Sequence, residues 1–90
     1  MLIVRWSDEA LFGFQEPIDY IERDSLQNAI KVEEDILEIT DSLKNNPERF
    51  GLDKYIRNND GSFRYFEKHR LRISFRVTDK EVVIFKVQAY

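Results

Sequence analysis

The chain has 90 residues, of which 42% are hydrophobic and 34% are charged, and it contains no cysteine and a single histidine. This length suits one domain spanning residues 1–90, and the lack of cysteine excludes disulfides and thiolate metal sites. Because one histidine cannot form a histidine-based zinc site, we expect neither a metal ion nor a cofactor. No apolar run approaches the length of a membrane span, so we expect a soluble cytoplasmic protein without a membrane partner.

Charge is distributed unevenly along the chain. The net charge is −3, but residues 1–50 hold 12 acidic and 5 basic side chains, whereas residues 62–76 hold 5 basic and 1 acidic. The negative total argues against a general nucleic-acid-binding protein, because such proteins usually carry excess positive charge. The basic segment still permits a focused contact with phosphate groups.

The first predicted elements are a short strand and a helix. Residues 2–6 (LIVRW) are β-branched and aromatic, which predicts a strand covered on at least one face. Ser7, followed by two acids, is a good helix N-cap. Apolar residues then recur at helical spacing, at Leu11, Phe14, Ile18 and Ile21. Pro17 lies inside this run, and we expect a kink or break near residues 13–17 because proline removes a backbone hydrogen bond.

A second helix is predicted after a very short connection, so the two helices should form an antiparallel hairpin. Ser25 supplies its N-cap, and residues 45–47 (NNP) end it. The predicted apolar face consists of Leu26, Ala29, Ile30, Ile36, Leu37, Thr40 and Leu43, with Val32 and Ile39 widening the stripe.

Three strands are predicted in the last third of the chain. They follow a turn at residues 58–61 (NNDG) and begin with a short aromatic strand at residues 63–67. Residues 71–77 alternate strictly between apolar and polar, and residues 81–87 are almost continuously apolar, as in a covered strand. The order β-α-α-β-β-β predicts an α+β fold in which a helical hairpin packs on one face of a mostly antiparallel sheet.

The alternation in the middle strand predicts a basic stripe. Arg70, Arg72 and Arg76 should share one sheet face, with Lys68 and His69 at the preceding turn. The stripe is either a solvated strand face or a site for phosphate or carboxylate groups, since the planar guanidinium fits both. His69, beside two cations, is either a general base or simply a polar turn residue.

Three motifs together resemble the RelE/ParE superfamily of bacterial type II toxins. Residues 4–7 (VRWS), followed by Glu9 and Ala10, are similar to the opening of that family, in which a strand runs into a helix. Residues 46–49 (NPER) are similar to the loop that closes its second helix. Residues 66–79 (FEKHRLRISFRVTD) are similar to its strand–turn signature. The resemblance spans essentially the whole chain and implies the RelE/ParE fold.

The resemblance implies a toxin that a cognate antitoxin keeps silent. Members of the RelE and YoeB branches cleave mRNA on the ribosome, whereas the ParE branch poisons DNA gyrase. In the nuclease branch a strand arginine contacts the scissile phosphate, and the matching position is Arg72 or, by an alternative match, Arg70. The implied catalytic residues are Arg72, Arg70, His69 and Tyr90, with Lys68, Arg76 and Arg64 as RNA- or phosphate-binding residues.

Three functions remain open at this point. The leading hypothesis is a ribosome-dependent mRNA endonuclease whose partners are the antitoxin, the ribosome and mRNA. The alternative is a ParE-like, non-catalytic inhibitor of DNA gyrase, because the helices are acidic and residues 87–90 lack the arginine and histidine of the nuclease tails. The third is a catalytically degenerate module that only binds antitoxin. In each case we expect a homodimer or a toxin–antitoxin hetero-oligomer, with antitoxin on the sheet face or its edge.

Overall fold

The secondary structure follows the predicted order, and the structure, a computed structural model, describes all of residues 1–90. The elements are β1 (Ile3–Trp6), α1 (Asp8–Asp24), α2 (Leu26–Ser42), a short 3₁₀ turn (Pro47–Arg49), β2 (Phe63–Lys68), β3 (Leu71–Val77) and β4 (Glu81–Ala89). The predicted α+β class and element order are confirmed. Neither helix combines the length and apolar character that a bilayer-spanning segment needs.

The four strands form one mixed sheet in the order β1-β4-β3-β2. β3 pairs antiparallel with both β2 and β4, whereas β1 pairs parallel with β4. Parallel neighbours need a long crossover connection, and the helices lie within that connection on one face of the sheet. The opposite face, called here the open face, carries Phe63, Tyr65 and Glu67 from β2, Arg72, Ser74 and Arg76 from β3, and Lys86 and Gln88 from β4.

Both helices begin at the predicted serine caps. The hydroxyl of Ser7 accepts a hydrogen bond from the backbone N–H of Ala10, and the hydroxyl of Ser25 accepts one from Asn28. Each cap satisfies a backbone donor that the first helical turn leaves free. The single residue Ser25 connects the helices, which explains why they fold back on one another as a hairpin.

The predicted break at residues 13–17 is wrong, because α1 continues through Pro17. A proline inside a helix costs about 3 kcal/mol. Ala10, Phe14 and Ile18 are buried on the side of α1 that faces the core. Burying each large apolar side chain stabilises by about 1.5–3 kcal/mol, so packing on both sides of the proline holds the helix continuous.

The core lies between the helices and the inner face of the sheet. It contains Ala10, Phe14, Ile18, Ala29, Val32, Ile36, Leu43, Phe66, Leu71, Ile73, Phe75, Val82, Ile84 and Val87. The inward positions predicted for β3 are confirmed, with Ile73 and Phe75 fully buried. The predicted apolar face of α2 is partly wrong, because Leu26, Ile30 and Leu37 are exposed. The buried residues of α2 lie instead along a line through Ala29 and Ile36. At about 100° per residue, the three exposed positions lie on one flank of that line.

A β-bulge interrupts the pairing of β3 with β4. Ser74 is opposite Lys86, whereas Phe75 is opposite Ile84, so Phe85 is an extra residue on β4. The ring of Phe85 packs edge-on against Phe63 at 5.8 Å, which adds an aromatic side chain to the open face. β4 extends to Ala89, two residues beyond the predicted end.

Candidate functional site

The turn between β2 and β3 has an unusual backbone. Lys68 pairs with Leu71, so only His69 and Arg70 form the turn, and their φ angles are +54° and +61°. Two consecutive left-handed residues match a type I′ hairpin turn, where asparagine and glycine are preferred. Arg70 therefore lies in the turn, and the prediction that it shares the strand face with Arg72 is wrong. The two-residue turn rotates Arg70 out of the alternation that places Arg72.

His69 contacts a carboxylate on the second helix. Its Nε2 atom lies 2.7 Å from Oδ2 of Asp35, and the ammonium group of Lys31 lies 3.6 Å from the same oxygen. The hydrogen bond with His69, supported by the charge of Lys31, lowers the pKa of Asp35. The sequence pattern placed His69 beside two cations but did not include Asp35, which is 34 residues away in the sequence. The contact ties the hairpin turn to α2.

Arg72, the leading catalytic candidate, is enclosed by other side chains. Its Nη2 donates to Oε2 of Glu67 at 2.8 Å, and its guanidinium lies 3.8 Å from the ring centroid of Tyr55 and 5.1 Å from that of Tyr65. The side chain is only 10% exposed, and Nε is buried without a hydrogen-bond partner. The hydrogen bond with Glu67 raises the pKa of Arg72. The prediction of a basic stripe did not anticipate this burial.

The loop of residues 50–62 brings Tyr55 to Arg72. The side-chain amide of Asn59 donates to the carbonyls of Asp53 and Phe63, and its Oδ1 accepts from the N–H groups of Gly61 and Phe63. The buried carboxylate of Asp53 accepts from the N–H of Tyr55. Sequence reasoning identified the turn at residues 58–61 but missed Tyr55, because no local pattern shows what a loop covers.

The same loop covers the outer edge of β2. The N–H of Asp53 donates to the carbonyl of Phe63, and the N–H of Tyr65 donates to the carbonyl of Gly51. Leu52 forms an isolated bridge with Arg64. A covered edge cannot pair with another strand, so this side of the sheet is closed to strand addition.

Arg76 lies on the open face, as predicted, at the far end of β3. Its guanidinium lies 4.9 Å from the ring centroid of Phe63, its Nε donates to the hydroxyl of Ser62, and its Nη2 lies 4.0 Å from Asp60. It is exposed, unlike Arg72. Arg70 and Arg76 are six residues apart, which corresponds to about 20 Å along a strand. These two arginines therefore cannot hold one phosphate.

Arg64 and Lys68 belong to the helix side of β2. Arg64 is opposite Phe75, and its Nη1 donates to the backbone carbonyl of Phe50 at 2.6 Å. Lys68 lines a shallow cleft against α2 that also includes Asp35. Neither joins Arg72 on the open face, so the seven candidate residues do not form one cluster.

Tyr90 lies beside the hairpin turn. Its backbone N–H donates to the carbonyl of Arg70 at 3.0 Å, and its side chain is exposed. The turn residues His69 and Arg70 therefore lie near Tyr90 at one end of the sheet. Arg72 lies further along the strand under Tyr55.

A cleft separates α1 from the end of β4. Its volume is about 500 Å³, and it is lined by Gly13, Glu16, Pro17, Tyr20, Arg23, Val87, Gln88 and Ala89. At its inner end, a Cβ placed on Gly13 would lie 2.6 Å from the carbonyl oxygen of Val87. The absence of a side chain at Gly13 lets α1 approach β4 this closely.

A family comparison decides the class of the protein. The family described as "ParE toxin of type II toxin-antitoxin system, parDE" matches residues 4–88. The chain belongs to this ParE toxin family. Membership of the RelE/ParE superfamily, predicted from the motifs, is confirmed, and the chain is a type II toxin. A comparison with curated protein sequences found no match.

Two solved structures have the same fold as this ParE-family chain. One, from the chromosomal ParDE TA system of P. aeruginosa, gives a TM-score of 0.79 at 22% identity and covers 99% of this chain and 96% of its own. The other, a YoeB dimer from Staphylococcus aureus, gives a TM-score of 0.61 at 20% identity and covers 99% and 97%. At these identities the likeness establishes the fold alone.

Proposed function

We propose that this ParE-family toxin inhibits DNA gyrase by binding it, without cleaving RNA. The observation that carries the proposal is the enclosure of Arg72, the first of the two residues, Arg72 and Arg70, that the motif matches to the scissile phosphate. Its guanidinium is bonded to Glu67 and covered by Tyr55. A group that stabilises charge on a reacting phosphate must be free to reach that phosphate. Arg72 instead joins the loop of residues 50–62 to the sheet.

The other groups needed for RNA cleavage are dispersed. Cleavage by a 2′-hydroxyl needs a proton acceptor, a proton donor and charge stabilisation around one phosphate. His69, Arg70 and Tyr90 lie together at the turn, but His69 is engaged with Asp35 on the helix side. Arg72 is enclosed further along β3, and Arg76 lies at the opposite end of that strand from the turn. This dispersal favours inhibition by binding over catalysis.

The mRNA endonuclease is the second candidate, and the open face favours it. Aromatic side chains and cations alternate there, because Phe63, Tyr65 and Phe85 lie beside Arg72 and Arg76. Such surfaces are typical of proteins that bind single-stranded nucleic acid by base stacking. The partners would then be the ribosome and mRNA. Tyr55 would have to leave Arg72 before that side chain could contact a phosphate.

The toxin class implies an antitoxin partner, and we propose that the antitoxin binds at the free edge of β4. The N–H of Tyr90 points to β3, so the backbone groups of Ala89 point to the other edge. β1 pairs with β4 only as far as Ile84, and Gly13 of α1 lies against the carbonyl of Val87. The open part of that edge therefore begins beyond Val87, beside the cleft along α1. A strand of the antitoxin would add to the sheet there by backbone hydrogen bonds.

The proposal is tested by inducing the chain in a bacterial host that lacks the antitoxin. It assumes that the toxin acts in the host cytoplasm. Inhibition of gyrase predicts growth arrest with intact mRNA and an induced DNA-damage response. Codon-spaced mRNA cleavage that Arg70→Ala and Arg72→Ala abolish would overturn the proposal in favour of the nuclease. Absence of arrest, with an antitoxin peptide still raising the melting temperature, would instead indicate the degenerate module.

A further inference from the structure

A second cleft lies where the hairpin turn meets the two helices. Its volume is about 370 Å³, and it is lined by Ile21, Asn28, Lys31, Val32, His69 and Arg70. The volume is within the range of small-molecule sites, which are about 300–1,000 Å³ and combine an apolar surface with a few polar groups. Ile21 and Val32 pack against the core, so the inner wall of this turn cleft is apolar.

The turn cleft is free of acids in an acidic protein. The chain has 17 acidic residues against 14 basic ones, yet none of the six lining residues is acidic. The first turn of α2, next to the cleft, also contains no acid. Asp24 lines a neighbouring cleft with Arg23. Asp35 lines another with Glu38 and Lys68, and its carboxylate contacts His69 and Lys31. The lining residues themselves thus include two cations, Lys31 and Arg70, and no carboxylate.

The donors around the turn cleft are largely unused. Arg70 makes no side-chain hydrogen bond or ion pair, and the side-chain amide of Asn28 has no partner within the protein. The ammonium of Lys31 lies 3.6 Å from Asp35, but the same carboxylate oxygen is bonded more closely by His69 at 2.7 Å. A guanidinium, an ammonium and an amide are thus available to one ligand.

The left-handed backbone conformation of the turn is consistent with a binding site. A left-handed conformation costs a residue other than glycine about 1–2 kcal/mol. His69 and Arg70 both adopt it, although glycine would avoid the cost. Backbone strain of this kind is concentrated at binding and catalytic sites. In this conformation the His69 and Arg70 side chains both line the cleft.

We propose that the turn cleft binds a phosphate monoester carried on an apolar or aromatic body. The guanidinium of Arg70 and the ammonium of Lys31 hold the phosphate, with the Asn28 amide as a third donor. Three donor groups suit a tetrahedral anion with three terminal oxygens, and arginine and lysine are the side chains that bind phosphate most often. Ile21 and Val32 contact the apolar body of the ligand. The site is independent of the target that the toxin inhibits.

Titration of the ¹⁵N-labelled protein with phenyl phosphate at constant ionic strength tests this assignment. We expect saturable shifts of the amide signals of Asn28, Lys31 and Arg70, weaker binding of inorganic phosphate, and none of phenol. Equal affinity for phenyl phosphate and inorganic phosphate would overturn the role of the apolar wall. No saturable shift with either anion would overturn the site.

Matched variants separate the site from a general charge effect. Arg70→Asn removes the guanidinium but keeps a residue that tolerates the left-handed conformation, and Lys31→Gln removes the ammonium from the helix. Each should weaken phenyl phosphate binding by about tenfold, as expected for loss of a hydrogen bond to a charged group. Arg70→Lys should restore part of the affinity. Arg76→Gln, a loss of the same charge at the other end of β3, should leave binding unchanged, and an equal loss there would contradict the proposal.

Discussion

The guanidinium carbon of Arg72 lies 3.8 Å from the ring centroid of Tyr55, so a loop residue covers the cation at the middle of the open face. Tyr65, on the neighbouring strand β2, also lies near the guanidinium of Arg72, and Glu67 accepts a hydrogen bond from the Nη2 of Arg72. The contact with Tyr55 joins the loop of residues 50–62 to the sheet, whereas Tyr65 and Glu67 belong to β2. Together, the three contacts explain how a charged side chain can be 10% exposed in a small protein.

Tyr55→Ala should lower the free energy of unfolding by about 0.5–2 kcal/mol, the range for a cation–π contact between exposed and desolvated limits. Tyr55→Phe should retain most of the stability, because the ring remains over Arg72. Urea denaturation measures both changes. Tyr20→Ala is the matched control, since Tyr20 is 73% exposed and its ring makes no cation–π contact. Equal losses for Tyr55→Ala and Tyr20→Ala would show that the stacking contributes nothing.

Gly13→Ala should destabilise the protein although alanine favours helices. The added Cβ would lie 2.6 Å from the carbonyl oxygen of Val87, which is backbone and cannot rotate away. Relieving the overlap requires α1 to move from β4, and overpacking of this kind typically costs about 1–3 kcal/mol. The test compares the thermal unfolding of the Gly13→Ala and Gly51→Ala proteins. Gly51→Ala is the control, because no atom lies within 4 Å of a Cβ at Gly51. A Gly13→Ala protein as stable as the Gly51→Ala protein would refute the close approach.

The contact between Asp35 and His69 should appear in the acid unfolding of the protein. The pKa of Asp35 is lowered from its usual 3.8 in the folded state, chiefly by the hydrogen bond from His69. A lowered carboxyl pKa stabilises the fold above the unfolded value, and this contribution disappears as the pH falls through the folded value.

The wild-type protein should therefore lose more stability than Asp35→Asn as the pH is lowered from neutral to below 3.8. Urea denaturation at a series of pH values measures the difference. Glu38→Gln is the control, because it removes an acid from the same helix that has no ion-pair partner. Parallel pH profiles for the wild type and Asp35→Asn would rule out the contact in solution.

Arg70→Gly should stabilise the protein. Arg70 has a φ of +61°, where glycine avoids the steric cost of about 1–2 kcal/mol. The extra freedom of glycine in the unfolded chain offsets part of this gain, which leaves an increase of about 0.5–1 kcal/mol in the free energy of unfolding. Lys68→Gly, a strand position next to the turn, should instead destabilise. A loss of stability with Arg70→Gly would mean that the arginine side chain supports the turn.

Short-range sequence patterns were sufficient to predict much of the fold. The strict alternation over residues 71–77 predicted the inward positions of Ile73 and Phe75, and the serines before each helical run predicted both caps. The order of elements and the superfamily followed from motifs distributed along the whole chain. These features depend on neighbouring residues, which the sequence displays directly.

The candidate site depended on contacts that no local pattern contains. Tyr55 and Arg72 are 17 positions apart, and Asp35 and His69 are 34 apart. Arg70 was misplaced because turn rules reserve two left-handed positions for asparagine and glycine, and this turn uses neither. Pro17 broke no helix because tertiary packing outweighed a local preference.

Purified components provide the sharpest test of whether the protein inhibits gyrase by binding. Relaxed plasmid is incubated with DNA gyrase and increasing amounts of the chain, while the same preparation is added to a translation reaction containing labelled mRNA. We predict a dose-dependent loss of supercoiling with full-length mRNA throughout. Unimpaired supercoiling at an excess of the chain, together with mRNA cut at codon spacing, would contradict the claim.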